Sequence, residues 1–301
     1  MSVVRFIKRS HTLYNAYLSL RVFLKYKSFS PSKLKVTGSD NFIHTNPKER
    51  RGKSLLMSNA SGQQWIKQFW LKAVDLNPNL VLDCGINYGE ILFFPIYNKE
   101  TMVLGFEADP TIIPLILKSQ NIHPNKDQMQ VFHCLLSNKT EEEASFYIKK
   151  NWSGGSSAIL DESLKQTDLE EIKVQKDSID NLIKDLHFSN DLLLFKIDVE
   201  GYEPFVIEGM EETLASFKNT IGTIEFNPEF FEPIDVEIQD YLDSLFNRFK
   251  VYIWKNEDTL SEITSSSKEE FIRNLRNSYA NTDIILATSS ELVQRLGYKL
   301  A

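Results

Sequence analysis

The chain has 301 residues, 42% hydrophobic and 25% charged, a balance typical of a globular protein with one large or two small domains. Its formal net charge of −7 disfavours a general nucleic-acid-binding protein, and we expect no specific nucleic-acid partner. No run of about 18 apolar residues is present, so a membrane-spanning helix is not expected. The two cysteines, Cys84 and Cys134, lack metal-ligand spacing, and a reducing cytoplasm is the predicted location.

Charge is distributed unevenly along the chain. Residues 1–53 contain 12 Lys and Arg against 2 Asp and Glu, a net charge of +10, and the remainder contains 22 basic and 39 acidic residues, a net charge of −17. Within residues 1–30, apolar residues at helical spacing alternate with basic ones. This pattern predicts a helix that either packs on the main domain or lies peripherally on an anionic membrane.

A domain boundary is predicted at residue 60. Residues 28–60 are rich in Ser, Pro, Asn and Lys, which predicts a linker or a draped loop. Residues 1–60 are therefore interpreted as a basic N-terminal extension and residues 61–301 as the main domain. We expect the extension to serve location or substrate access, not chemistry.

From residue 61 onward, short apolar segments alternate with helical ones. Seven segments predict strands, namely LVLDC, MVLGFE, QVFHCLL, LLLFKID, GTIEF, KVYIW and DIILAT. Such alternation predicts an α/β fold in which helices cover both faces of a mostly parallel sheet. A helix is predicted at residues 88–97, and the segments EASFYIKK and EIKVQKDS predict an antiparallel hairpin beside the sheet.

The first predicted strand runs into a glycine turn, DCGINYG, at residues 83–89. Parallel sheets present ligands at the carboxyl ends of their strands. Gly85 allows a tight turn and Gly89 allows close approach of the next segment. The spacing lacks the middle glycine of the dinucleotide fingerprint. This disfavours an NAD-dependent oxidoreductase and suits a ligand with a small zwitterionic tail.

Acidic residues end two other predicted strands. Glu107 follows Gly85 by 22 residues and is placed to accept hydrogen bonds from two ribose hydroxyls, with a solvated strand end as the alternative. In LLLFKIDVEGYE, alternation puts Lys196, Asp198 and Glu200 on one face. Because burying unpartnered charges is costly, these residues predict either a ligand-facing group or a structural salt bridge of Lys196 with Asp198 or Glu200.

Taken together, DCGINYG, GFE at residues 105–107 and KIDVEGYE at residues 196–203 resemble the motif set of the FkbM-type methyltransferases. The resemblance covers about residues 75–255, and KIDVEGYE is its most specific part. It implies a Rossmann-like class I methyltransferase fold with a seven-stranded, mostly parallel sheet. It also implies S-adenosylmethionine as cofactor and O-methylation of a sugar or related hydroxylated acceptor.

The resemblance also assigns roles to individual residues of the cofactor site. It implies that the methionine end is surrounded by Asp83, Gly85, Asn87 and Gly89, the ribose held by Glu107, and the adenine flanked by Leu136 and Ser137.

A hydroxyl acceptor needs its proton removed, and a carboxylate within hydrogen-bond reach can act as general base. Asp198 is the first candidate, Glu200 the second and Glu225, in GTIEF, the third. These three carboxylates could instead bind a divalent metal that acidifies the hydroxyl, although no metal is predicted. A non-catalytic Rossmann-like scaffold is the alternative from another functional class.

Overall fold

The computed structural model describes residues 11–160, 168–278 and 282–301. The strands of these residues are, in chain order, β1 (Lys33–Lys35), β2 (Phe42–His44), β3 (Leu80–Cys84), β4 (Met102–Glu107), β5 (Met129–His133), β6 (Leu135–Leu136), β7 (Glu141–Lys149), β8 (Leu169–Asp177), β9 (Leu192–Ile197), β10 (Asn219–Phe226), β11 (Lys250–Asn256), β12 (Thr259–Ile263), β13 (Thr282–Ala287) and β14 (Lys299–Leu300).

Helices connect most of these strands. They are α1 (His11–Tyr26), α2 (Arg50–Ser58), α3 (Gln64–Val74), α4 (Ile113–Asn121), α5 (Ile179–Ile183), α6 (Glu203–Glu208), α7 (Glu211–Ser216), α8 (Ile238–Phe246), α9 (Lys268–Ser278) and α10 (Ser290–Arg295). Short 3-10 turns lie at Lys126–Gln128, Ser153–Gly155, Pro228–Phe230 and Glu232–Ile234. In the described part of the chain, no helix is both long enough and apolar enough to cross a bilayer.

The main sheet has nine strands among the described residues, in the order β14-β12-β11-β13-β10-β9-β3-β4-β5. The five strands from β10 to β5 are mutually parallel, and β13 lies antiparallel between β10 and β11. All seven predicted strands contribute to this sheet, and β12 and β14 extend one edge beyond them. The predicted α/β fold with a mostly parallel sheet is therefore confirmed.

Both faces of the sheet are buried, as the continuous apolar strands predict. Along β9, Leu194 packs into one core cluster, whereas Leu193 and Phe195 pack into the other. The first cluster includes Trp70 of α3, and the second includes Leu242 of α8. Alternate residues of one strand thus serve two separate cores, which is typical of a sheet between helical layers.

The predicted hairpin is also present. Strands β7 and β8 pair antiparallel, from Ala144 opposite Val174 to Lys149 opposite Leu169, and β6 adds a parallel strand beside β8. Because β6 follows β5 almost directly, this small sheet stands at the carboxyl edge of the main sheet.

The helix predicted at residues 88–97 was wrong, because this segment forms a series of turns. Pro95 has no backbone N–H to continue a helix. The carbonyls of Phe94 and Pro95, in the last turn of the predicted helix, are bonded to side chains of the N-terminal segment. Asn41 Nδ2 donates to the oxygens of Phe94 and Pro95 at 3.2 and 3.1 Å, and the Ser39 hydroxyl donates to Phe94 O at 2.6 Å.

The linker predicted for residues 28–60 was wrong as well. Strands β1 and β2 form a hairpin, α2 follows, and Leu34, Ile43 and Leu56 are buried in the core cluster that contains Trp70. The polar composition concealed a few well-spaced apolar residues that anchor the segment. The boundary placed at residue 60 therefore does not coincide with a break in the packing.

Candidate functional site

A cavity of about 270 Å³ opens at the carboxyl ends of β3, β4, β9 and β10. The structure brings eight of the ten predicted site residues to its wall, namely Asp83, Gly85, Asn87, Glu107, Leu136, Asp198, Glu200 and Glu225. The other two, Gly89 and Ser137, are not among the described residues that line it. Their predicted contact with a cofactor stays a prediction.

The two glycines of the turn serve close packing. Gly85 has φ +82°, and a Cβ there would lie 1.9 Å from the backbone oxygen of Asp198. Only glycine therefore lets the chain after β9 approach the turn after β3. Gly89 has φ +80°, and its missing Cβ leaves room for the ring of Phe93. The close packing of Phe93 beneath the turn therefore explains why a glycine is needed at position 89.

Glu107 ties two loops together at the cavity wall. Its Oε2 accepts the N–H of Asn87 at 2.8 Å, and its Oε1 accepts the N–H of Asp109 at 2.9 Å. Burial raises the pKa of Glu107 to about 7 despite these hydrogen bonds, which favour the ionised form. Each oxygen keeps a second lone pair, so the carboxylate can still accept hydrogen bonds from a ligand.

The wall beyond Glu107 is mostly apolar. Phe106, Leu135, Leu136 and Phe146 line it. Ser137, the next residue, is buried and donates its N–H to the oxygen of Asp177 at 2.9 Å, which joins β6 to the end of β8. An apolar slot of this kind suits a flat aromatic ring.

Lys196 is a buried cation between two carboxylates. Strand register places it beside Asp83, and its Nζ lies 3.0 Å from Asp198 Oδ2 and 3.6 Å from Asp83 Oδ1. Burial alone would lower the pKa of Lys196, but Asp198 and Asp83 raise it above its ordinary value. Burial raises the pKa of Asp83 to about 6. The predicted salt bridge is present, and its members also line the cavity.

The three candidate bases form a cluster. One oxygen from each of Asp198, Glu200 and Glu225 lies within 4.8 Å of the others. Burial, followed by the charge of Asp198, raises the pKa of Glu200 to about 8 and that of Glu225 to about 10. Asp283 faces Glu225 across the β10–β13 ladder, and burial raises its pKa to about 7. The cluster therefore favours a bound proton or another cation.

The donor set also fits a divalent metal. Three carboxylate oxygens match the preference of Mg²⁺ or Mn²⁺ for hard oxygen ligands. Such an ion would neutralise the charges that raise the pKa values of Glu200 and Glu225. The cluster can therefore act either as a general base or as a metal site, and activity assays with and without a chelator distinguish the two.

Sequence reasoning missed the wall that the N-terminal segment supplies. Arg51 lines the cavity, bonds Glu90 through Nη2, and places its guanidinium 5.6 Å from the ring centre of Trp152. Glu49 accepts hydrogen bonds from the hydroxyl of Tyr88 and the N–H of Ser153. Nothing distinguished these residues from other charged residues of a polar, basic stretch.

A second cavity of about 870 Å³ adjoins the first. Its described lining includes three aromatic residues, Tyr147, Tyr202 and Phe230. Glu200 lines both cavities and has the left-handed backbone conformation, with φ +55°. The carboxylate cluster therefore stands where the two cavities meet.

The strand order and the cleft at the strand ends are those of a Rossmann-like class I methyltransferase fold. The model of the methyltransferase FkbM domain matches residues 83–251, more than half of the chain. The chain therefore belongs to the FkbM methyltransferase family and is an S-adenosylmethionine-dependent methyltransferase. No curated protein matches the sequence.

Solved structures of similar fold are distant. Cofactor-bound Rv0187 from MTB matches with 10% identity over 75% of this chain and 79% of that chain, with a TM-score of 0.40. The O-methyltransferase from Bacillus cereus in complex with SAH matches with 11% identity over 75% of this chain and 80% of that chain, with a TM-score of 0.41. Similarity at this level carries no information about the acceptor.

Proposed function

We propose that the protein transfers a methyl group from S-adenosylmethionine to a hydroxyl of a sugar or related hydroxylated acceptor. One observation carries the proposal. The carboxylate cluster of Asp198, Glu200 and Glu225 lies at the junction of two cavities, and Glu200 lines both. A group that removes the proton must lie within hydrogen-bond reach of the acceptor hydroxyl as that hydroxyl approaches the methyl group, and a cluster at the junction of the two cavities suits this role.

The first cavity has a distinct group for each part of the cofactor. Arg51 and Glu90 can pair with the carboxylate and ammonium of its amino-acid end, Glu107 with the ribose hydroxyls, and the slot around Leu136 with the adenine. When bound, S-adenosylmethionine supplies a methyl group on a sulfonium, already a good leaving group. The protein's contribution is therefore chiefly positioning and proton removal.

The second cavity suits a ring that has one apolar face and hydroxyls at its edge. Tyr147, Tyr202 and Phe230 offer aromatic surface, and Glu229 and Glu232 at the rim can accept hydrogen bonds from hydroxyls. Asp198 is our first choice for the general base, because it lines the cavity and Lys196 Nζ holds its Oδ2 at 3.0 Å. Glu200 and Glu225 are the next choices.

Calorimetric titration separates this function from its alternatives. We expect S-adenosylmethionine and S-adenosylhomocysteine to bind and NAD not to bind. Glu107→Ala should weaken both interactions by about 1.5–3 kcal/mol, the range for hydrogen bonds to charged groups. Binding of NAD alone would favour an oxidoreductase. If none of the three ligands binds, the result would favour a non-catalytic scaffold.

The acceptor requires a separate screen. Glycans and other hydroxylated compounds are incubated with the protein and S-adenosylmethionine, with and without a chelator, and methyl incorporation is followed by mass spectrometry. Methylation of nitrogen or carbon in place of a hydroxyl would contradict the proposed chemistry. Activity abolished by the chelator and restored by Mg²⁺ or Mn²⁺ would establish the metal alternative. The cytoplasm stays the predicted location.

A further inference from the structure

Helix α1 has two apolar faces, of which one is buried. Leu18 and Val22 face the protein with 6% and 3% of their surface exposed. Lys25 Nζ donates to the oxygens of Leu56 and Met57 at the end of α2, at 2.7 and 3.0 Å. The Tyr26 hydroxyl also donates to Leu56 O, at 3.0 Å. The helix is thus anchored through one side, as the packing alternative predicts.

The opposite face is apolar and exposed. Leu13, Leu20 and Leu24 are spaced seven and four residues apart, so they lie along one line of the helix. Their exposed fractions are 50%, 58% and 52%. Just beyond the helix, Phe29 is 83% exposed and its ring stacks on Phe23 at a centroid distance of 4.3 Å. Leucine side chains with half or more of their surface exposed along one line of a helix indicate an external partner.

The charges around this face indicate what the partner is. Arg21 and Lys27 are exposed beside it, and the first acidic residue of the sequence is Asp40. From residue 54 onward the chain has a net charge of −17. A basic segment that also exposes leucines on an otherwise acidic protein is typical of a helix that lies on an anionic membrane.

We propose that α1 and the residues just after it dock the protein on an anionic lipid surface through Leu20, Leu24 and Phe29. Leucines enter the boundary between headgroups and acyl chains, and the flanking basic residues meet the lipid charges. A second copy of the chain is a poorer occupant, because joining two α1 faces would bring two basic segments together. Lys25 does not contribute, since it is bonded to the end of α2.

The experiment is flotation of the full chain with vesicles of phosphatidylcholine, alone or mixed with phosphatidylserine. We expect binding to the mixed vesicles and at least about tenfold weaker binding to the neutral ones, because each basic residue near an anionic surface strengthens binding by about fivefold. The double variant Leu20→Ser/Leu24→Ser should bind the mixed vesicles about tenfold more weakly than wild type. The matched control is Leu117→Ser, a change of an exposed leucine on α4, which should leave binding unchanged.

Charge and fold are tested separately. Arg21→Gln/Lys27→Gln should weaken binding to the mixed vesicles, whereas Lys99→Gln/Lys126→Gln should not. Since the altered side chains are exposed, all variants should keep the wild-type melting temperature. The proposal is overturned if Leu20→Ser/Leu24→Ser binds the mixed vesicles like wild type. A second set of results would also overturn the proposal. In it, light scattering shows that wild type is a dimer and Leu20→Ser/Leu24→Ser a monomer, and wild type does not bind vesicles of either composition.

Discussion

The cofactor cavity has two walls of different origin. The strand-end wall, with Asp83, Lys196 and Glu225, is fixed by ladder register across β3, β9 and β10. The N-terminal wall, with Arg51, is held by side-chain contacts to Glu90 and Trp152. The first wall follows from local sequence pattern and sheet topology. The second exists only because a distant segment folds back, so the two walls should respond differently to substitution.

The largest effect is expected at the strand-end wall. Asp198→Asn removes the proposed base while keeping its size, so methyl transfer should fall by about 10²-fold or more. Affinity for S-adenosylhomocysteine should change by less than about 1 kcal/mol, because the base acts on the acceptor. Asp83 still pairs with Lys196 in this variant, so the melting temperature should stay near that of wild type.

Three results would change that assignment. Full activity of Asp198→Asn would move the base to Glu200 or Glu225. Activity restored by raising Mg²⁺ or Mn²⁺ would make Asp198 a metal ligand. If Asp198→Asn loses stability as well as activity, and Lys196→Met loses both to a similar degree, Asp198 is only a structural partner in an ion pair.

A smaller effect is expected at the N-terminal wall, and adjacent arginines provide a matched pair. Arg51→Gln should weaken S-adenosylhomocysteine binding by about tenfold, since a charge-assisted hydrogen bond contributes about 1.5–3 kcal/mol and the ligand regains part of this from solvent. Arg50 also lies over Trp152, at 5.1 Å, but is not among the described residues of the cavity wall. In the same calorimetric titration, Arg50→Gln should therefore bind S-adenosylhomocysteine with the affinity of wild type. Equal affinities for the two variants would mean that the N-terminal segment only covers the site.

The smallest effect concerns the pH dependence of stability. Because burial raises the pKa of Glu200 from 4.5 to about 8, the folded state holds a proton that the unfolded state releases. This contribution to stability is fully present below pH about 4.5 and is lost as the pH rises through about 8. Between about pH 5 and pH 8.5, the melting temperature of the ligand-free wild type should therefore fall by roughly 2–4 °C more than that of Glu200→Gln. This difference is equivalent to about 1 kcal/mol in the free energy of unfolding.

Thermal melts between about pH 5 and pH 8.5 measure this difference. Glu229→Gln is the control, because Glu229 is an exposed glutamate in the second cavity. Parallel curves for wild type and Glu200→Gln would show that Glu200 is ionised throughout this range.

What could be predicted from the sequence follows the same division. Apolar runs ending in charged residues identified the strands and placed Asp83, Glu107 and Asp198 at one edge, because parallel strands end together. Arg51 had no such signal, since its position depends on tertiary packing of α2 that polar composition concealed. Asp283 was missed because the sequence of β13 does not show that this strand pairs antiparallel with β10, which is what brings Asp283 opposite Glu225.

Glu200 shows a conflict between thermostability and activity. A left-handed backbone suits Gly or Asn, and a glutamate there costs on the order of 1 kcal/mol. Selection for heat resistance alone would therefore favour Gly or Asn at this position, and the carboxylate shared by the two cavities would be lost. A heat-resistant variant obtained by screening without an activity assay is expected to carry such a change, and it would be a poor starting point for engineering the enzyme.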